Sequence, residues 1–252
     1  MNFRKRENYE KTNSIYRILF LTLIFSNCQK ESPLFQPLNP KETGINFVNK
    51  VTENDTLNIL NTEYVYNGGG VGIGDFNGDG FQDVFFTANQ GDNKLFLNRG
   101  DMRFEDVTAQ ANLNKTPDQW SSGINILDIN GDGRLDIYVS NTFHANPEKR
   151  RNSLLINTGN TGNSIPQFSD MAQAYNIDDT THSSNAQFFD YDNDGDLDLF
   201  IAVNFMNTQY PNQYFQKVTD GSHVNTDKLF RNDWNAQLGH PLFTDVSKAA
   251  HI

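Results

Sequence analysis

The chain has 252 residues, 37% of them hydrophobic and 20% charged, with a formal net charge of −11. That length holds one large or two small domains with a proper core. The acidic balance argues against nucleic-acid binding through a basic surface, and a single cysteine, Cys28, rules out a disulfide framework.

At the N-terminus, Arg4, Lys5, Arg6, Lys11 and Arg17 precede an apolar run from Ile18 to Phe25, and Ser26, Asn27 and Cys28 follow. This is the layout of an export signal, and the run is too short to span a membrane. The place of Cys28 just after the run resembles a bacterial lipoprotein cleavage site, in which the cysteine becomes the lipidated first residue of the mature protein. The resemblance implies a signal peptide over residues 1–27, lipidation at Cys28, and an extracytoplasmic chain anchored to the outer membrane, at its periplasmic face or at the cell surface. Pro33, Pro37 and Pro40 mark residues 28–44 as a tether.

From Ile45 the pattern becomes β-like. Ile45 to Val51 and Tyr64 to Tyr66 read as extra strands. Gly68 to Gly74 invites a nucleotide-loop reading, but its spacing is not G-x-G-x-x-G, and no GK[ST] follows. It reads instead as a strand with room for a close-packed neighbour.

Then comes a nine-residue phrase that the chain writes three times: Asp75 to Asp83, Asp128 to Asp136 and Asp190 to Asp198. Its constant positions spell D-x-[DN]-x-D-G-x-x-D. Side-chain oxygens at positions 1, 3, 5 and 9 of a loop bent at a glycine are hard donors, suited to a hard cation with six to eight oxygen ligands, and calcium fits best. The candidate ligands are Asp75, Asn77, Asp79 and Asp83 in the first loop, and Asp128, Asn130, Asp132 and Asp136 in the second. In the third they are Asp190, Asp192, Asp194 and Asp198. An EF-hand is excluded because position 12 is Phe86, Val139 or Ile201 where a bidentate Glu is needed, and because β-rich runs follow each loop. Ten of the 31 acidic residues occupy these positions, so three bound divalent ions would bring the formal charge from −11 to about −5.

Each phrase is the centre of a longer repeat. A small-residue strand leads into it (Gly70 to Gly74, Ser122 to Leu127, Ser184 to Phe189), and an apolar strand leaves it and ends at Asn89, Asn141 or Asn204. A third strand ends at Asn98, Asn157 or Asn232, and a fourth begins at Phe104, Phe168 or Phe243. Four antiparallel strands per unit, with the phrases 53 and 62 residues apart, are the signature of propeller blades. Blades are expected over about residues 70–113, 122–177 and 184–252.

The loops resemble FG-GAP/VCBS repeats, the calcium-binding blades of integrin-alpha-type β-propellers. The order Tyr66-Asn-Gly-Gly-Gly-Val71, Lys94 to Asn98, Phe104 to Thr108, Trp120-Ser-Ser-Gly123 and Phe188 to Gly195 is similar to ASPIC/UnbV-associated proteins, the cartilage acidic protein-like family. The resemblance covers roughly residues 45–252. It implies an all-β fold of about three blades from a ring of seven, calcium at the twelve named ligands, and a chain that is a fragment of a longer protein, or else an incomplete ring that needs a partner.

Three functional readings follow. The first is a calcium-stabilised, lipid-anchored scaffold that binds a protein or glycan through its blade loops. A variant makes it a surface partner for an outer-membrane uptake system, with Phe205, Tyr210, Tyr214 and Phe215 stacking on sugar rings. The alternative is the propeller portion of a polysaccharide-degrading enzyme. No catalytic residue is assigned: the clustered carboxylates are explained as ligands, His144, His182, His223, His240 and His251 show no H-E-x-x-H spacing, and G-x-S-x-G is absent. His182 precedes a blade strand and is a candidate for the lining of a central channel.

Overall fold

The computed structural model describes residues 33–113, 117–206, 218, 220–221 and 223–252. The export signal, Cys28, Tyr210, Tyr214 and Phe215 lie outside the described residues. The chain divides into Met1–Leu38 and Asn39–Ile252. In the first unit residues 33–38 carry no helix or strand; all that follows concerns the second. No helix among the described residues is long and apolar enough to cross a membrane.

The second unit is all β apart from short turns of helix. Three four-stranded sheets follow one another along the chain. Blade 1 is β1 (Val71–Gly74), β2 (Asp83–Phe86), β3 (Lys94–Asn98) and β4 (Phe104–Asp106). Blade 2 is β5 (Trp120–Leu127), β6 (Asp136–Thr142), β7 (Ser153–Asn160) and β8 (Pro166–Asp170). Blade 3 is β9 (Ser183–Phe189), β10 (Asp198–Val203), β11 (Lys228–Asn235) and β12 (His240–Asp245). Within each sheet every strand pairs antiparallel with the next in sequence, which is the up-and-down order of a propeller blade.

The hydrophobic core lies between blades, because each sheet must bury a face on its neighbour. Between blades 1 and 2, Phe85, Leu95 and Leu97 meet Ile137, Val139 and Phe168. Between blades 2 and 3, Tyr138, Leu154 and Ile177 meet Leu199, Ile201 and Phe243. The innermost strands β1, β5 and β9 lie side by side, and that contact explains the glycines. A Cβ on Gly72 would come within 2.7 Å of Ile126 Cδ1, and one on Gly74 within 2.6 Å of Leu135 Cδ1. The alternate residues Val71 and Ile73 face away from blade 2 and are 56% and 62% exposed.

The two extra strands do not form. Tyr64 to Tyr66 is a turn, and Ile45 to Val51 runs without strand pairing. Side chains fasten this stretch and the residue after it in place of a ladder: Asn89 N–H donates to Asn49 Oδ1 (2.9 Å), and Thr52 N–H donates to Gln90 Oε1 (2.6 Å). Phe47 stacks on Phe86 at 4.7 Å, so the segment covers part of the outward face of blade 1. Before it, Pro40–Thr43 makes one helical turn capped by Asn39.

Close approach of the inner strands gives a direct test. A Cβ at Gly123 would lie 2.8 Å from Asn185 Cα, a backbone atom of blade 3 that cannot rotate aside. Gly123→Ala is therefore expected to cost about 1–3 kcal/mol through overpacking, a fall of roughly 2–12 °C in a chain of this size. A thermal melt with no fall would mean that β5 and β9 do not pack this closely.

Candidate metal centre

Each nonapeptide joins the first strand of its blade to the second, so all three loops lie at the same end of the sheet stack. Locally the turn is made by two residues in the left-handed region. Position 6 is Gly80 (φ 88°), Gly133 (φ 83°) or Gly195 (φ 98°), and position 4 is Gly78 (φ 74°), Gly131 (φ 71°) or Asn193 (φ 63°). Glycine and asparagine tolerate this conformation best, so position 4 is constrained as tightly as the glycine at position 6.

The carboxylates divide into two kinds. Those at position 1 shape the loop: Asp75 accepts the N–H groups of Gly78 (2.7 Å), Asp79 (3.1 Å) and Gly80 (2.8 Å). Asp128 accepts those of Asp132 (3.0 Å) and Gly133 (2.8 Å), and Asp190 those of Asp194 and Gly195 (both 3.1 Å).

Those at position 9 are buried, and Asp83, Asp136 and Asp198 are each 0% exposed. One oxygen accepts the N–H of loop position 2: Phe76 at 3.0 Å, Ile129 at 3.1 Å, Tyr191 at 2.9 Å. The other accepts the N–H of the third strand's asparagine, Asn98, Asn157 or Asn232, at 2.8 Å in every blade. Position 9 is thus a staple between loop and third strand. Burial, opposed by those bonds and aided by the neighbouring loop carboxylates, pushes Asp83 and Asp136 up to about 6.

The first two loops quench part of their own charge. Asn77 Nδ2 donates to Asp79 Oδ2 (2.9 Å), and Asn130 Nδ2 to Asp132 Oδ2 (3.0 Å). Arg134, at position 7 of the second loop, also pairs with Asp132. The third loop lacks these bonds between side chains. Oxygens of Asp190, Asp192 and Asp194 all lie within 4.8 Å of one another. Burial and the surrounding carboxylates raise Asp192, and the same causes push Asp196 up to about 6. Asp196 Oδ1 is buried with no hydrogen-bond partner among the described residues. The converging oxygens of Asp190, Asp192 and Asp194 are a hard donor set that fits a divalent cation.

Some of this had not been anticipated. At position 7 of the third loop Asp196 carries a carboxylate, and its N–H donates to Asp194 Oδ1 at 3.1 Å. The third-strand asparagines were visible as a repeat without a role. Asn157 and Asn160 go further and cross to the neighbouring loop, donating to Phe76 O (2.8 Å) and Asn77 O (2.6 Å). His182 lies just before β9 and is half-buried; desolvation and the nearby Arg150 push its imidazole down to about 4, so it stays neutral at physiological pH. Phe205, of the loop aromatics, is 42% exposed.

Residues 75–139, the first loop through the second, match the FG-GAP-like repeat family. Human cartilage acidic protein 1 is 39% identical over 77 residues, covering 30% of this chain and 12% of that protein. The Xenopus tropicalis cartilage acidic protein 1 is 30% identical over 138 residues, covering 54% of this chain and 20% of that protein. The chain therefore spans a fifth or less of the length of these curated relatives.

The two kinds of carboxylate separate under mutation in metal-free buffer. Asp83→Ala strands two buried N–H groups and is expected to cost about 2–5 kcal/mol. Asp79→Ala, on the exposed part of the loop, should cost under about 1 kcal/mol. Equal losses in chemical denaturation would show that the staple at position 9 is not what holds the loop.

Proposed function

We propose that this chain is a calcium-stabilised β-propeller scaffold, held outside the cytoplasm by a lipid on Cys28, that binds a protein or glycan partner through the loops of its blades. The observation that carries the calcium reading is the convergence of Asp190, Asp192 and Asp194 at one end of blade 3. The FG-GAP-like match over residues 75–139 supports extending it to the first two loops. The lipid anchor rests on the order of basic residues, apolar run and Cys28 in the sequence.

Bound calcium would supply the counter-charge that each loop lacks. Asp75, Asn77 and Asp79 would hold it in the first loop, Asp128, Asn130 and Asp132 in the second, and Asp190, Asp192 and Asp194 in the third. Asp83, Asp136 and Asp198 remain assigned as ligands: an ionised oxygen that accepts one N–H keeps a second lone pair for a cation. Because no site of this kind exists in the unfolded chain, the binding free energy adds to folding stability. Role and partner are separate matters, since propellers host many functions. A scaffold is the reading these residues favour, because the clustered carboxylates are occupied with loop structure and cation chemistry.

Affinity should follow ligand charge. The third loop, with five carboxylates in nine residues, should bind most tightly, and the second, where Arg134 competes for Asp132, most weakly. Calcium at about 100 times its Kd should raise the melting temperature by roughly 5–10 °C over chelator for each loop it fills. Combining Asp79→Ala, Asp132→Ala and Asp194→Ala should abolish the rise. If the unsubstituted chain melts identically with calcium and with chelator, the loops are not calcium sites.

A further inference from the structure

At the end of the inner strands away from the acidic loops, the chain forms a cavity of about 360 Å³ lined by all three blades. Its walls come from the entrance to β1, from the start of β5, from Thr142 and Phe143 after β6, and from Ser184 and Asn185 of β9. This volume falls within the range of small-molecule clefts, roughly 300–1,000 Å³.

The lining has an unusual composition. One residue in five of the chain is charged, with a net charge of −11, yet none of the fifteen residues around the cavity is. A lining without charged side chains offers no ion pair to repay the desolvation of a charged ligand, which favours neutral molecules. Its polar groups are amides and hydroxyls, and several are unengaged. Among the described residues the amides of Asn67 and Asn185, both exposed, and of Asn204, half-buried, make no side-chain hydrogen bond and are open to a ligand, whereas the unpartnered hydroxyl of Thr142, a residue only 1% exposed, is buried. A primary amide both donates and accepts, as does a hydroxyl, so this set matches a ligand that carries several hydroxyls.

The apolar part of the wall is aromatic. Trp120 and Phe143 meet edge to face, 5.0 Å between centroids. Phe143 is held at φ 60°, and His144 N–H closes a three-residue turn on Thr142 O at 2.8 Å. A bulky residue in the left-handed region is strained, and such strain persists only where the surroundings enforce it. Here it presents a ring to the cavity. Aromatic faces beside unpaired amides suit a pyranose, with C–H groups on its faces and hydroxyls around its edge.

We propose that this cavity is a binding site for a neutral saccharide, of mono- or disaccharide size, separate from the cation loops at the other end of the strands. The inference rests on the reading of the chain as a binding scaffold and supplies the class of ligand.

The test is saturation-transfer NMR on the full chain in calcium. The panel holds D-glucose, D-galactose, D-mannose, L-fucose, N-acetyl-D-glucosamine and cellobiose. D-glucuronate, D-glucosamine and the uncharged peptide N-acetyl-Gly-Gly-amide serve as controls. At least one neutral sugar should bind saturably and more tightly than every control. Asn185→Ala and Phe143→Gly should each weaken it at least tenfold; glycine at 143 also accepts the positive φ, so that variant should remain folded. No binding by any neutral sugar, tighter binding of a control, or affinity unchanged in both variants would overturn the proposal. The melting response to calcium, measured on the same samples, keeps the two ideas apart. A response that persists without sugar binding removes the saccharide site alone, and a missing response removes the cation reading.

Discussion

A carboxylate removed from water and tied on both oxygens is the constraint on which each blade depends. Asp83, Asp136 and Asp198 take the N–H of the loop on one side and the N–H of the third-strand asparagine on the other. Burying such a group is costly unless its hydrogen bonds are complete. Once they are complete, the loop cannot drift from the sheet. In the third loop the carboxylates of Asp190, Asp192 and Asp194 then converge on the outer side, and their mutual repulsion is of the kind a cation would relieve. The loop is set by the sheet before any ion is considered.

The loops are also coupled to the stacking of the blades. Asn157 is at once the third-strand end that meets Asp136 and the donor to Phe76 O in blade 1, while Asn160 reaches Asn77 O. Ordering the first loop thus supports the packing of blade 2 on blade 1, and that packing in turn positions the first loop. At the opposite end the contacts between blades have another character. Thr87 Oγ1 donates to Ser122 O at 2.6 Å, Ser122 Oγ to Ser183 O at 3.0 Å, and Asn125 Nδ2 to Ala186 O at 2.8 Å. Small polar residues let the inner strands approach, and their side chains donate across the seam to backbone carbonyls of the neighbouring blade.

Most of the architecture was legible in the sequence because it is written three times. The strands beginning at Lys94, Ser153 and Lys228 follow their loops at different distances, yet each pairs its first residue with position 12 of the phrase, Phe86, Val139 or Ile201, and repetition separates such a pattern from chance turns. What escaped depends on contacts across the chain. Ile45 to Val51 has a strand-like composition, but Asn49 and Thr52 bond to the side chains of Asn89 and Gln90, 40 and 38 residues away, and no local pattern announces this. The oxygen donors of the three loops were visible in the sequence as candidates. Their division into a buried staple and an exposed cluster was not, because Asp79 and Asp83 are identical as letters and differ only in burial.

The central claim is that the three loops hold divalent cations, and anomalous diffraction observes this most directly. Crystals grown with calcium, then exchanged with terbium, should give an anomalous peak in each loop. The strongest should lie among Asp190, Asp192, Asp194 and Asp196. Loops occupied only by water, with Asp192 and Asp194 turned away from each other, would contradict it.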